Sequence, residues 1–100
     1  MNSKIKSKEV DFLFNAILQL QSEDECYQFF EDLCTVNELK AMSQRLVVAK
    51  MLSEGRVYSD IVEATGASTA TISRVKRSVE YGCDSYSMVF DRMSEESKKL

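Results

Sequence analysis

Proline and histidine are absent from this chain, and glycine occurs only three times in 100 residues. Without proline nothing interrupts a helix from within, so an all-α reading meets no local obstacle. Without histidine, and with Cys26, Cys34 and Cys83 odd in number and widely spaced, neither a zinc site nor a disulfide framework is signalled. Reduced thiols in a cytoplasm are the expectation. No run approaches the roughly 18 apolar residues of a membrane span, and the start MNSKIKSK lacks the apolar centre of a signal peptide. The sequence therefore predicts a soluble, cytoplasmic protein without a membrane partner. Catalysis is not signalled either. There is no phosphate-cradling glycine loop and no matched nucleophile and base, and Cys34 and Cys83 sit in ordinary helical contexts.

What is present is a globular composition, 44% hydrophobic and 29% charged. A chain of this size buries only about two thirds of its unfolded surface, so a partner subunit would add useful core. The formal net charge of −3 is unevenly distributed: residues 1–34 carry −4, residues 35–55 carry +1, residues 56–79 carry +2 and residues 80–100 carry −2. Positive charge thus gathers in one internal segment of an acidic molecule.

Helical spacing organises the chain from about Ser7 onward, after a loose polar start. Val10, Leu13, Phe14, Ile17 and Leu18 form one stripe of a helix extending to about Gln21, and Phe12, Ala16 and Leu20 form a second. A helix apolar on two sides needs cover, which predicts packing against a second subunit. Ser22 and Glu25 have capping-box spacing and open a second helix, with Cys26, Phe29, Phe30 and Leu33 inward. Thr35 and Glu38 repeat that spacing before a third, predicted to pack through Leu39, Met42, Leu46, Ala49 and Leu52, with Val48 and Met51 beside them, and to stop at Gly55. A short fourth helix runs from Tyr58 or Ser59 to about Thr65, with Ile61 and Val62 to bury, and Gly66 suits a tight turn. Ser68 or Thr69 caps a fifth helix that ends near Tyr81 and Gly82, and Asp84 offers an N-cap to a sixth carrying Tyr86, Val89, Phe90 and Met93. The charged tail SEESKKL is expected to fray.

The segment Tyr58–Arg77, YSDIVEATGASTATISRVKR, carries the chemistry. Two short helices hinged at Gly66 would bury Ile61, Ile72 and Val75 and leave Ser68, Thr69, Ala70, Ser73, Arg74 and Arg77 facing out, as a DNA-reading helix pair requires. Hydroxyls can donate or accept at base edges, and the methyl groups of alanine or threonine can meet a thymine methyl. Between Ser68 and Val79 the segment holds Arg74, Lys76 and Arg77 and no acid, which places positive charge where phosphates pass. The plain alternative is a solvated basic helix packed against the acidic N-terminal segment. A run of small hydroxylated residues at the start of a helix is not something that alternative requires.

From about Thr35 to Ser78 the residues TVNELKAMSQRLVVAKMLSEGRVYSDIVEATGASTATISRVKRS resemble the Trp-repressor superfamily, and GASTATISRVKR followed by YGCDSY resembles its YerC/YecD branch. FLFNAIL and YQFFEDLCT fit the same branch, so the resemblance covers about nine tenths of the chain. It implies an all-α, six-helix, intertwined homodimer acting as a transcriptional repressor on a palindromic operator. It also implies an amino-acid corepressor pocket, because Thr35, Arg45 and Arg74 match the threonine and two arginines that surround the ligand in the Trp repressor, and Ser78 matches a further pocket hydroxyl. A guanidinium can clamp a carboxylate and another can stack on a planar ring, which agrees with such a pocket. Val75 departs from the pattern: it stands where a glycine follows the second pocket arginine, and a branched side chain there takes space an indole needs. Tryptophan is therefore disfavoured as the ligand. Each pocket candidate also has a simpler role, Thr35 as an N-cap, Arg45 as an ion-pair or phosphate contact, and Arg74 as a DNA contact.

The resulting expectation is a single domain over residues 1–100, with dimerisation helices at about 7–54 and 84–96 and a helix-turn-helix at about 58–81. Its function would be sequence-specific binding of double-stranded DNA through Ser68, Thr69, Ala70, Ser73, Arg74, Lys76 and Arg77, with control by an amino-acid-like effector at Thr35, Arg45, Arg74 and Ser78. A helical adaptor that binds other proteins is the competing class.

Overall fold

The structure is a computed structural model that describes residues 4–93. Over that range the chain forms six α-helices: α1 (Lys8–Ile17), α2 (Glu23–Leu33), α3 (Val36–Ser53), α4 (Tyr58–Thr65), α5 (Thr69–Tyr81) and α6 (Ser85–Arg92). The all-α expectation holds. They fall into two compact units, one ending at Val36 and one beginning at Asn37. The predicted extension to residue 96 and the charged tail lie outside the described residues.

In the first unit both helices begin at serine caps. Ser7 Oγ accepts from Val10 N–H at 3.1 Å and Ser22 Oγ accepts from Glu25 N–H at 3.1 Å. The return half of the expected capping box differs by one residue, because Glu25 Oε1 accepts from the backbone N–H of Gln21 at 2.9 Å. Lys6 pairs with Asp11 at 2.6 Å, holding the segment before α1 to its first turn. α1 stops at Ile17 rather than near Gln21, since Gln19 and Leu20 donate back only three residues, to Ala16 and Ile17, and so leave the α pattern. Among the described residues none of α1 or α2 is buried. Phe12 is 78% exposed and Leu18 77%, so apolar side chains from both predicted stripes of α1 reach the surface of the single chain. Leu33, expected inward on α2, is also exposed.

The second unit contains the core. Val48, Ala49 and Met51 of α3, Ile61 of α4, Ala67 in the turn, Ile72 and Val75 of α5 and Phe90 of α6 are buried together, with no buried polar side chain among the described residues. The inward face of α3 is the predicted one only in part. Val48, Ala49 and Met51 are buried and Leu52 packs on the core with Val47, which was not predicted, whereas Met42 and Leu46 are exposed. α3 carries apolar residues around much of its circumference, so its periodicity alone does not choose a face.

α6 is fixed by Phe90, whose ring stacks with Tyr86 at 6.2 Å and carries the Lys50 ammonium 5.2 Å above it. Val89, predicted inward, is exposed, as is Val62 of α4, where only Ile61 is buried. Asp84 precedes α6 as expected, but its side chain makes no cap bond. Its backbone is left-handed, at φ 59°, a conformation that aspartate tolerates better than most residues. Gly82 closes α5 where a Cβ would overlap the carbonyl oxygen of Ser78.

Gly66 is left-handed at φ 71°, with nothing within 4 Å of the position a Cβ would take. Replacing it costs only backbone strain, so Gly66→Ala should lower the unfolding free energy by about 1–2 kcal/mol and Gly66→Asn by less. Chemical denaturation of the two variants checks the order, and an alanine variant as stable as the parent would contradict it.

Candidate nucleic-acid interface

α4 packs directly against α5. Ile61 reaches inward from α4, and Ile72 and Val75 from α5, each at most 2% exposed. Burying residues three apart on α5 aims the opposite side of that helix outward. Thr69, Ala70, Ser73, Arg74, Lys76 and Arg77 are all exposed. Small side chains occupy the first turns and cations follow, and Val79 is half-buried behind them.

Two polar clasps, neither legible in the sequence, hold the turn. Gly66 N–H donates to Val62 O at 2.8 Å, and the Thr65 hydroxyl donates to Ile61 O at 2.7 Å while accepting from Ala67 N–H at 3.1 Å. Gln44 of α3 donates from Nε2 to Thr65 O at 3.1 Å, so α3 fixes the end of α4. A threonine and a glutamine that would pass for surface residues therefore set the angle at which α5 leaves the turn.

Ser68 is exposed but already employed. Its Oγ accepts from Thr71 N–H and its hydroxyl lies 3.1 Å from Thr71 Oγ1, which makes it the N-cap of α5. Lys76 sits 3.7 Å from Glu80, one turn further along, so the acid-free run of the sequence ends just within reach of its middle cation. Tyr58, the first residue of α4, lies with its ring 5.8 Å from Lys76 Nζ and its hydroxyl 3.5 Å from Ser73 Oγ.

The sequence profile described as "Trp repressor protein" matches residues 8–94. The chain belongs to the Trp repressor family. It is 58% identical over 92 residues to the uncharacterized protein YerC of Bacillus subtilis strain 168, covering 92% of this chain and 88% of that one. A crystal structure from Staphylococcus aureus described as a candidate Trp repressor superposes with a TM-score of 0.87 at 56% identity over 94% of each chain. A TrpR-like protein from Eubacterium eligens ATCC 27750 superposes at 0.89, with 58% identity over 94% of this chain and 97% of that one. The Trp repressor family is one of regulators, not enzymes.

Within this Trp repressor family chain the effector candidates belong to three separate segments. Arg45 is exposed on α3, Arg74 and Ser78 lie one turn apart on α5, and Thr35 stands just before α3 in the first unit. The Ser78 hydroxyl donates to Arg74 O at 3.4 Å. Val75 is buried in the core at 2% exposure. A separate open cleft of about 370 Å³ lies between α3 and α4, lined by Lys40, Ser43, Gln44, Val47, Ala64 and Thr65, and includes none of those candidates. Among the described residues no cluster of Cys, Asp and Glu is arranged to hold a metal ion, and no helix is long and apolar enough to cross a membrane.

Because the Ser68 side chain caps α5 through a local hydrogen bond, Ser68→Ala should lower stability by about 1 kcal/mol. Thr69→Ala, at an exposed position after the cap, should leave the thermal midpoint nearly unchanged. Equal midpoint shifts for the two variants would remove the distinction between capping and surface residues.

Proposed function

We infer that this chain is a DNA-binding transcription regulator that acts as a homodimer, with α4 and α5 as a helix-turn-helix and α5 as the reading helix. The observation that carries this is the exposed side of α5, where Thr69, Ala70 and Ser73 precede Arg74, Lys76 and Arg77. Small hydroxyl and methyl groups suit base edges in a major groove, and cations one or two turns later suit the flanking phosphates. Membership of the Trp repressor family supports the same reading, including repression at a palindromic operator. Reading helices on a twofold dimer would meet half-sites about one helical turn, roughly 34 Å, apart. Such a protein would work in the cytoplasm, beside DNA.

The dimer is supported by the exposed apolar residues Phe12, Leu18, Tyr27 and Val36, which a single chain leaves in water. An amino-acid-like effector at Thr35, Arg45, Arg74 and Ser78 remains part of the proposal, and the burial of Val75 favours a ligand smaller than an indole. Operator selection in vitro, repeated with a panel of amino acids, tests both binding and effector.

Nuclease footprinting should reveal protected, twofold-symmetric sites whose occupancy falls steeply with salt. Arg77→Ala should weaken binding to every sequence and reduce the salt slope by about one, whereas Thr69 or Ser73 substitutions should redistribute affinity among sites. An absence of protected sites would favour the adaptor class instead. Light scattering at micromolar concentration should give twice the chain mass, and a clean monomer would defeat the dimer.

A further inference from the structure

Tyr58 was marked in the sequence only as the start of a helix, yet it is the α4 residue that reaches the outward side of α5 at two places. Its ring is half-buried and packs on the core, which fixes its direction. From that anchored ring the phenolic oxygen lies 3.5 Å from Ser73 Oγ, and the Lys76 ammonium stands 5.8 Å from the ring centre. Ser73 and Lys76 are three residues apart on an α-helix, hence neighbours on one side. One side chain of α4 thus adjoins a candidate base-reading group and a candidate phosphate-binding group.

A serine hydroxyl has one proton and two lone pairs and rotates freely, so alone it addresses base donors and acceptors almost equally. A neighbouring phenol 3.5 Å away, at the long limit of a hydrogen bond, biases that freedom without locking it. When Tyr58 donates to Ser73 Oγ, the serine proton is left to point away, toward an acceptor such as guanine O6 or N7, adenine N7 or thymine O4. Lys76, with a flexible four-carbon stem, is weakly biased toward the ring of Tyr58, 5.8 Å away, and the carboxylate of Glu80, 3.7 Å away.

We propose that Tyr58 is a positioning residue for DNA recognition, which sets the hydrogen-bonding polarity of Ser73 and the direction of Lys76. The inference rests on the DNA-reading role of α5 stated above. Tyr58 acts through these two residues and need not touch the duplex.

The test uses the full chain and an operator selected in vitro, together with all its single-base-pair variants. Relative affinities are measured by fluorescence anisotropy for the parent, Tyr58→Phe, Ser73→Ala and the double variant, with thermal midpoints in parallel. Tyr58→Phe keeps the packed ring and removes only the hydroxyl. It should reduce discrimination at one base-pair position in each half-site by roughly three- to tenfold, with the salt slope unchanged because no charge is lost. In the Ser73→Ala background the same change should have no effect on discrimination. A uniform loss across all operator variants, matched by a lower thermal midpoint, would make Tyr58 a packing residue and overturn the proposal. So would unchanged discrimination, or an equal change with and without Ser73. A parent protein that selects no operator would defeat the DNA-reading role, and the inference with it, before any variant is measured.

Discussion

The outward side of α5 exists because three aliphatic side chains are buried behind it. Ile61, Ile72 and Val75 pack with Val48 and Ala49 of α3, and each such residue contributes about 1.5–3 kcal/mol when removed from water. The geometry follows from that burial, since a helix with residues 72 and 75 inward has residues 70, 73, 74 and 77 outward whatever their chemistry. Gly66 lets the chain reverse in the space available, and Ala67 places its methyl group in the same core at 2% exposure. The outward side of α5 is therefore fixed from behind, by apolar packing and two clasps at the turn. Its exposed side chains from Thr69 onward have little to do with holding the fold.

Electrostatics takes a different part. The pairs Lys50–Glu54, Arg56–Asp60 and Lys76–Glu80, all four residues apart, lie between 3.7 and 3.8 Å, and the last two are exposed at both partners. Exposed pairs of this kind contribute only about 0.3–0.5 kcal/mol each. Their weakness matters for Lys76, because a cation held so lightly can exchange a carboxylate for a phosphate at little cost. A phosphate contact also releases a condensed counterion, a gain that the internal pair does not offer. An acidic molecule can consequently present a locally basic helix, because no acid falls between Ser68 and Val79.

What was legible in the sequence was whatever depends on neighbours along the chain. The serine cap at Ser22, the cap at Ser68, the left-handed Gly66 and the limits of α4 and α5 are local devices, and each appears within a residue of its expected place. The inward set Ile61, Ile72 and Val75 was legible because α5 has polar residues on its other side. α3 offered no such contrast, and only tertiary packing selects Val48, Ala49 and Met51 over Met42 and Leu46. Asp84 looked like a cap because aspartate favours that position, but its left-handed backbone makes it the bend before α6 instead. The clasps of Thr65 and Gln44, and the approach of Tyr58 to Ser73, join residues up to 21 positions apart and leave no periodic trace.

The same core bears on the kind of ligand that could influence α5. Val75 lies on the inner side of the helix, within the core that holds it. A planar ring placed against it would have to displace a packed valine, and forcing extra volume into a full core costs about 1–3 kcal/mol. Arg74 and Ser78 are exposed, and the hydroxyl of Ser78 is bonded to Arg74 O over a long 3.4 Å. A bond of that length is surrendered cheaply. A small amino-acid-like ligand with its carboxylate at the guanidinium and its amino group at the hydroxyl would thus meet less resistance at the rim of α5 than an indole would at Val75. Such a ligand would leave the core that holds α5 undisturbed.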